Sequence, residues 1–392
     1  MKLVFAHDHI FKQDQEGNYY TAGSFNNDVW KRYLKHFDDI IVTARLDRNK
    51  VSSENKFNRF DLPETSLVPI PSLSGPISQF ANRSHAKKKL RKVIGESDAL
   101  IARLPSETGN LAIQVAQELG KPYAVEVVAC VWDALWNYGN IKAKMYAPVA
   151  LAKMKKNVLE APYVLYVTNE FLQKRYPTRG KSTNVSNVEI YDVEQSVLEK
   201  RIGRVIRDNN TIKIGMIGNL NNRIKGWDVA IKSFNILKQK GIEFEFHILG
   251  DGDKQKWIEL AEKYGIEKNL HFHGVLPGGF PVFNWLDEMD IYVQPSFQEG
   301  LPRAVIEAMS RGCPVVGSTA GGIPELINKS CLHKPGDYQT MSRNILNLIL
   351  NKEKSKDIAI ENFNESKKYI KLLLDDKRSN FWEKFIKLEV YN

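Results

Sequence analysis

The sequence predicts an α/β protein built from two Rossmann-like parallel-sheet domains that face one cleft. Three observations carry this. The chain has 392 residues, more than one ordinary domain of about 100–200 residues holds. Short apolar runs alternate with longer stretches of helical period, the pattern of strand–helix–strand units with parallel strands. That plan occurs twice, once in each half.

In the first half, apolar runs at 2–6, 39–44, 99–102, 124–128 and 163–168 read as buried strands. Helical periodicity lies between them at 27–36 and 109–119. The second half repeats the plan, with strands at 213–217, 245–249, 270–273, 290–294 and 314–317. Its helices fall near 227–239, 254–264, 303–310 and 338–350. The polar stretch 177–187 and a looser one at 207–211 mark the join. The expected domains are therefore residues 1–190 and 205–375. The tail Phe381-Trp-Glu-Lys-Phe-Ile386 is amphipathic and needs an apolar surface, so residues 376–392 are expected to pack back on the first domain. Ligands bind parallel sheets outside the carboxyl ends of the strands, and two facing sheets make one interdomain cleft.

Composition narrows the function classes. Hydrophobic residues make up 43% and charged residues 26%, a balance that excludes wholesale disorder. Cys130, Cys313 and Cys331 are too few and too scattered for a disulfide framework or a cysteine zinc site, which fits a reduced, cytoplasmic compartment. No apolar run approaches the roughly 18 residues of a membrane span. The opening run turns polar at His7, as a strand does and a signal peptide does not. Lys plus Arg number 56 against 46 Asp plus Glu, and the net charge of +10 favours an anionic partner.

The chemistry concentrates in residues 290–327. A strand runs into Pro295-Ser-Phe-Gln-Glu299-Gly300-Leu301-Pro302, and a helix follows, opened by Pro302. Glu299 precedes that helix and Glu307 lies within it. Amides at a helix start form an anion site. A diphosphate placed there leaves one carboxylate for the hydroxyls at each end of a nucleotide-sugar. Lys225, ahead of Gly226 and the next helix, supplies a fixed cation for the charge that develops on a departing phosphate.

This segment resembles the hallmark of the family 4 retaining glycosyltransferases with the GT-B fold. The resemblance extends through Gly218-Asn219-Leu-Asn-Asn-Arg223-Ile-Lys225-Gly226, Ile248-Leu-Gly-Asp-Gly252 and His273-Gly274-Val275, so it covers the second half in order. It implies that Glu307 binds the ribose, Glu299 the donor sugar and Lys225 the diphosphate. Residues 273–276, with His273 and Val275, would lie along the base. Gly218, Asn219, Gly300 and Leu301 would complete the donor site. The family has an Arg after the glycine equivalent to Gly218, where this chain has Asn219; Arg223 is the candidate replacement. The family's His after the fourth strand is absent from 125–133, which leaves Asp133 as a candidate. Asn187 matches the family's linker asparagine.

The first half adds softer candidates. Gly23 and Ser24 precede a helix and would approach the donor phosphates. Arg103 follows a strand at the cleft rim, and His7 opens a His-Asp-His cluster after the first strand; both are acceptor-side candidates. Asp251-Gly-Asp253 has the spacing of a metal-binding pair but closes a strand as a turn, so no metal is expected. Residues 83–92 carry six cations and no acid. With Lys142, Lys144, Lys153, Lys155 and Lys156 interleaved by apolar residues, they suit an anionic membrane surface. No nucleic-acid motif accompanies that charge.

The expected function is metal-independent, retaining transfer from a UDP- or GDP-sugar, with no further cofactor. The acceptor is a glycan or lipid-linked glycan of bacterial surface polysaccharide, met in the cytoplasm or peripherally at the inner membrane face. The alternatives are a catalytically degenerate GT-B protein, suggested by Asn219 and the missing His, and a GT-B sugar-nucleotide epimerase.

Overall fold

The computed structural model describes residues 1–21, 25–47, 57–137, 141–191, 193–207 and 210–390. The first sheet contains β1 (Lys2–Gln13), β2 (Tyr19–Thr21), β3 (Asp39–Asp47), β4 (Asn58–Phe60), β5 (Thr65–Pro69), β6 (Ala99–Leu104), β7 (Tyr123–Val127), β8 (Tyr163–Tyr166) and β9 (Lys181–Asn184). Its parallel part runs β5-β3-β1-β6-β7-β8-β9. Beyond it, β2 pairs antiparallel with the far end of β1 and with β4. The second sheet contains β10 (Ile212–Ile217), β11 (Phe244–Leu249), β12 (Leu270–Phe272), β13 (Ile291–Gln294), β14 (Val315–Ser318) and β15 (Leu332–His333). It is parallel throughout, in the order β12-β11-β10-β13-β14-β15.

The central strands are apolar on both faces because helices cover both. Leu3, Val4, Phe5 and Ala6 are buried, as are Leu100, Ile101 and Ala102 beside them. Local signals fix the helix ends. Ser106 caps the Glu107–Leu119 helix by accepting from the Gly109 amide, and Gly120 closes it in the left-handed region at φ 61°.

Two expectations change. β1 does not stop at Ala6; it continues through His7-Asp8-His9 with a register shift against β3 between Ala6 and Ile10. His7 therefore lies in a strand and not in a loop after it. The polar stretch 177–187 is not simply a linker, because β9 pairs within it on β8 at the sheet edge. Edge strands tolerate polar residues on both faces, which hides them from a hydrophobicity reading.

The chain crosses to the second unit after Ile190, which bridges Ile370. The Gln195–Ile206 helix packs on that unit through Arg201, whose guanidinium donates to the carbonyls of Arg311, Met289 and Leu286. The Lys371–Phe385 helix returns to the first unit. Phe381 and Phe385 pack against Tyr163, and Trp382, fully buried, against Tyr33. The two units also meet directly. Glu325 of the second accepts from the Asn169, Glu170 and Phe171 amides, at the start of the Phe171–Arg175 helix of the first.

Candidate active site

The site begins where β10 and β13 end side by side. After Ile217 the chain passes Gly218, whose amide donates to Leu249 at 3.0 Å. The β11 exit presses on it: a Cβ at Gly250 would lie 1.8 Å from the Gly218 carbonyl oxygen. The Asn219 side chain accepts from the Asn221 amide at 2.8 Å, so it shapes the loop. Gly226 turns the chain at φ 81°, where a Cβ would sit 2.1 Å from the Pro295 carbonyl oxygen. Only glycine meets both constraints, and the turn holds Lys225 against the β13 exit.

There Lys225 Nζ donates to Glu299 Oε1 at 2.7 Å. The same oxygen accepts from Gln294 Nε2 at 2.9 Å and Ser296 Oγ at 2.7 Å. Gln294 is itself held by the Tyr292 hydroxyl, which accepts from the Ile217 amide. A hydrogen-bonded chain thus ties the carboxylate, only 9% exposed, to the centre of the sheet. Three donors on one oxygen fix Glu299 and leave Oε2 without a partner among the described residues. Arg223 is exposed and makes no ion pair among the described residues.

Glu307 lies on the Arg303–Ser310 helix, half-buried, and its carboxylate makes no hydrogen bond to the described residues. Burial pushes its pKa up, and the charge of Arg303 works against that. A desolvated carboxylate without donors is costly. It is a position that a ligand hydroxyl improves.

Across the cleft, Gly300 approaches the first unit so closely that a Cβ would stand 2.2 Å from the Val128 carbonyl oxygen. A cavity of about 250 Å³ opens beside this contact, lined by Phe25, Arg32, Arg103, Asn187, Gly300 and Arg303 among others. Leu301 also lines it. Arg103 lies 4.9 Å over the Phe25 ring and 3.6 Å from the Glu126 carboxylate, which accepts from the Tyr33 hydroxyl at 2.5 Å. Arg32 pairs with Glu189.

The sequence candidates thus separate. Lys225 meets Glu299, and the next residues, Gly300 and Leu301, line the cavity together with Arg103. Asp133 is engaged elsewhere, with Arg175 at 3.2 Å. His7 packs on Phe25, its pKa held well below the ordinary value by burial and then by Arg103. His9 is lowered to about 4 by the same causes. The intervening Asp8 accepts from the Glu107 and Thr108 amides, so the chain's own carboxylate occupies that helix start. His273 is exposed at the β12 exit, 2.8 Å from His247, and burial with His247 lowers its pKa; Val275 beyond it is 70% exposed. Asp253 accepts from the Gln255 amide at 2.9 Å, at the start of the Gln255–Glu262 helix. Gly23 and Ser24 lie outside the described residues. Arg303, Phe25 and Glu126 were not among the candidates. Arg303 had a signal, a cation at the first position of the motif helix; Phe25 and Glu126 had none.

Residues 211–351 match the family described as glycosyl transferases group 1. Protein CapJ of Staphylococcus aureus is 34% identical over 363 residues, covering 92% of this chain and 90% of that protein. The amylovoran biosynthesis glycosyltransferase AmsK of Erwinia amylovora is 39% identical over 134 residues, about a third of each chain. Among solved structures, Anabaena HepE in complex with UDP and glucose superposes with a TM-score of 0.66 at 16% identity, over 99% of this chain and all of that one. The sucrose-phosphate synthase of Thermosynechococcus elongatus gives 0.67 at 12% identity, over 98% of this chain and 99% of that one. Both likenesses bear on the fold.

Proposed function

Because the chain belongs to the group 1 glycosyltransferases and has the GT-B fold, we propose that it is a retaining, metal-independent transferase using a UDP- or GDP-sugar. The acceptor is a glycan or lipid-linked glycan of surface polysaccharide, met at an anionic membrane surface. The similarity to AmsK, an amylovoran biosynthesis glycosyltransferase, supports the pathway class, and the UDP bound to HepE supports the donor class.

The observation that carries the reading is the Lys225–Glu299 pair, fixed at the carboxyl end of the second sheet, with Gly300 and Leu301, the next residues in the chain, lining the cavity. Breaking the sugar–diphosphate bond leaves negative charge on phosphate and positive charge on the sugar. Lys225 and Arg223 offset the first, and the free oxygen of Glu299 takes a sugar hydroxyl beside the second. Such preorganised charges act more on the transition state than on the ground state. Glu307 receives the ribose. The acceptor hydroxyl enters through the cavity, positioned by Arg103.

The test begins with a thermal-shift panel of nucleotide-sugars, since a bound ligand raises the melting temperature by mass action. The stabilising donor is then incubated with the protein and free sugar is measured. Slow hydrolysis that disappears in Lys225→Met is expected, and the released or transferred sugar keeps the donor's anomeric configuration. Binding without turnover identifies a degenerate partner, and an inverted product refutes the retaining assignment.

A further inference from the structure

One face of the first unit, outside the cavity, is apolar where it meets solvent. On the Pro76–Gly95 helix, positions 77, 80, 84, 88, 91 and 92 form one exposed stripe. It begins with Ile77 and Phe80, 85% and 95% exposed, and ends in Lys88, Arg91 and Lys92. The Ile141–Glu160 helix repeats the arrangement. Ile141, Met145 and Val149, four residues apart, are 75%, 75% and 59% exposed, and Lys155 and Lys156 follow.

Gln79 Nε2 donates to the Tyr146 hydroxyl at 3.2 Å, which joins the two apolar halves. Trp136, on the Val131–Asn137 helix, stacks on Trp132 and lies under Lys144, extending the patch. Single exposed apolar residues are ordinary, but a contiguous set is not. The Pro76–Gly95 helix carries six Lys and Arg and no acid. Lys87 and Arg91 pair with Glu118, and Lys89 with the Pro69 carbonyl. Lys88, Lys92, Lys155 and Lys156 make no ion pair among the described residues.

The patch borders the cleft. Helices of a parallel sheet begin at the carboxyl ends of the strands, the ligand side, and both apolar halves are helix beginnings. Asn137 Nδ2 donates to the Phe297 carbonyl at 3.1 Å, two residues before Glu299.

We propose that this face docks on an anionic lipid bilayer. Ile77, Phe80, Ile141 and Met145 enter the acyl boundary, Trp136 sits at headgroup level, and the unpaired lysines hold lipid phosphates. The bilayer is selected over an apolar partner by charge complementarity: the Pro76–Gly95 helix that carries Ile77 and Phe80 has no acid, and Lys142 and Lys144 flank Ile141 and Met145 on the other helix. No helix among the described residues is long and apolar enough to cross a membrane, so the contact is interfacial. Docking in this pose turns the cleft mouth to the membrane plane, where a lipid-linked acceptor arrives. The proposal deepens the transferase reading and rests on it for its purpose, but vesicle binding needs neither donor nor acceptor, so the two fail separately.

The full chain is sedimented with phosphatidylcholine vesicles, with and without phosphatidylglycerol. Anionic vesicles are expected to bind at least about tenfold more protein, since each interfacial lysine is worth roughly fivefold. Phe80→Asp with Met145→Asp is expected to lower that binding about tenfold or more and to leave the melting temperature and the donor-induced shift unchanged, because both side chains face solvent. Equal binding by parent and variant, or equal binding to neutral and anionic vesicles, overturns the proposal. A parent dimer that the variant turns into a monomer overturns it too, by assigning the face to a second copy.

Discussion

Gly300→Ala tests the closeness of the two units. The added Cβ would lie 2.2 Å from the Val128 carbonyl oxygen, and contacts under 3.0 Å essentially do not occur. The obstacle is backbone at the end of β7, which cannot swing aside as a long side chain can. The Gly300 carbonyl is also fixed, because it accepts from the Gly322 amide at 2.7 Å. The units must therefore separate by roughly 1 Å, and a misplacement of that size costs about 100-fold in rate. On the proposed reading, Lys225 and Glu307 of the second unit hold the nucleotide, and that binding should not feel the change. The assay is kcat with a saturating donor, together with the Kd of the matching nucleoside diphosphate by calorimetry. The expected result is kcat lowered about 100-fold with Kd within about twofold. Unchanged turnover would refute the interdomain contact, and a Kd weakened as much as kcat would show that the strain stays inside the donor loop.

Three further predictions rest on the same geometry. Glu307→Gln should weaken nucleoside diphosphate about 10- to 150-fold, the loss of a charged hydrogen bond of roughly 1.5–3 kcal/mol, whereas Glu299→Gln should lower kcat and spare that affinity; the reverse pattern inverts the donor. Without ligand, Glu307→Gln should also raise the melting temperature. The folded pKa of Glu307 is raised, so its contribution is fully present below the unfolded pKa and is lost as pH rises through the folded pKa. The gain from Gln is therefore small in acid and grows toward neutrality; a gain that shrinks as pH rises refutes the burial argument. Chelator should leave turnover nearly intact, because Lys225 and Arg223 carry the charge a metal would carry. Loss of activity restored by magnesium or manganese would move the assignment to Asp251 and Asp253.

The strand–loop–helix passage around Glu299 was legible because its determinants are local. Glu299, Gly300, Leu301, Pro302 and Glu307 fall within one strand–loop–helix passage, where residue type at fixed spacing reports geometry directly. Lys225 is distant in sequence, but Gly226 marks the turn that brings it near. The cavity wall was less legible. Phe25, Glu126 and Arg103 come from three separate segments and meet only because β1, β6 and β7 are neighbours in the first sheet. His7 was misplaced because a strand that bulges and continues past polar residues has no hydrophobic signature. The basic cluster at 83–92 was visible, but which lysines remain free was decided by Glu118 and the Pro69 carbonyl.

The sequence by itself determined the parallel-strand architecture, the two-unit plan and the chemical character of the donor loop. Periodicity, glycine placement and charge are properties of short segments, and burial on both faces leaves few alternatives. Tertiary structure alone decided which charges face one another. It placed Lys225 on Glu299, left Glu307 without a donor among the described residues and tied Asp133 to Arg175. Those outcomes depend on sheet order within each unit, and contacts between residues tens of positions apart leave little trace in local pattern.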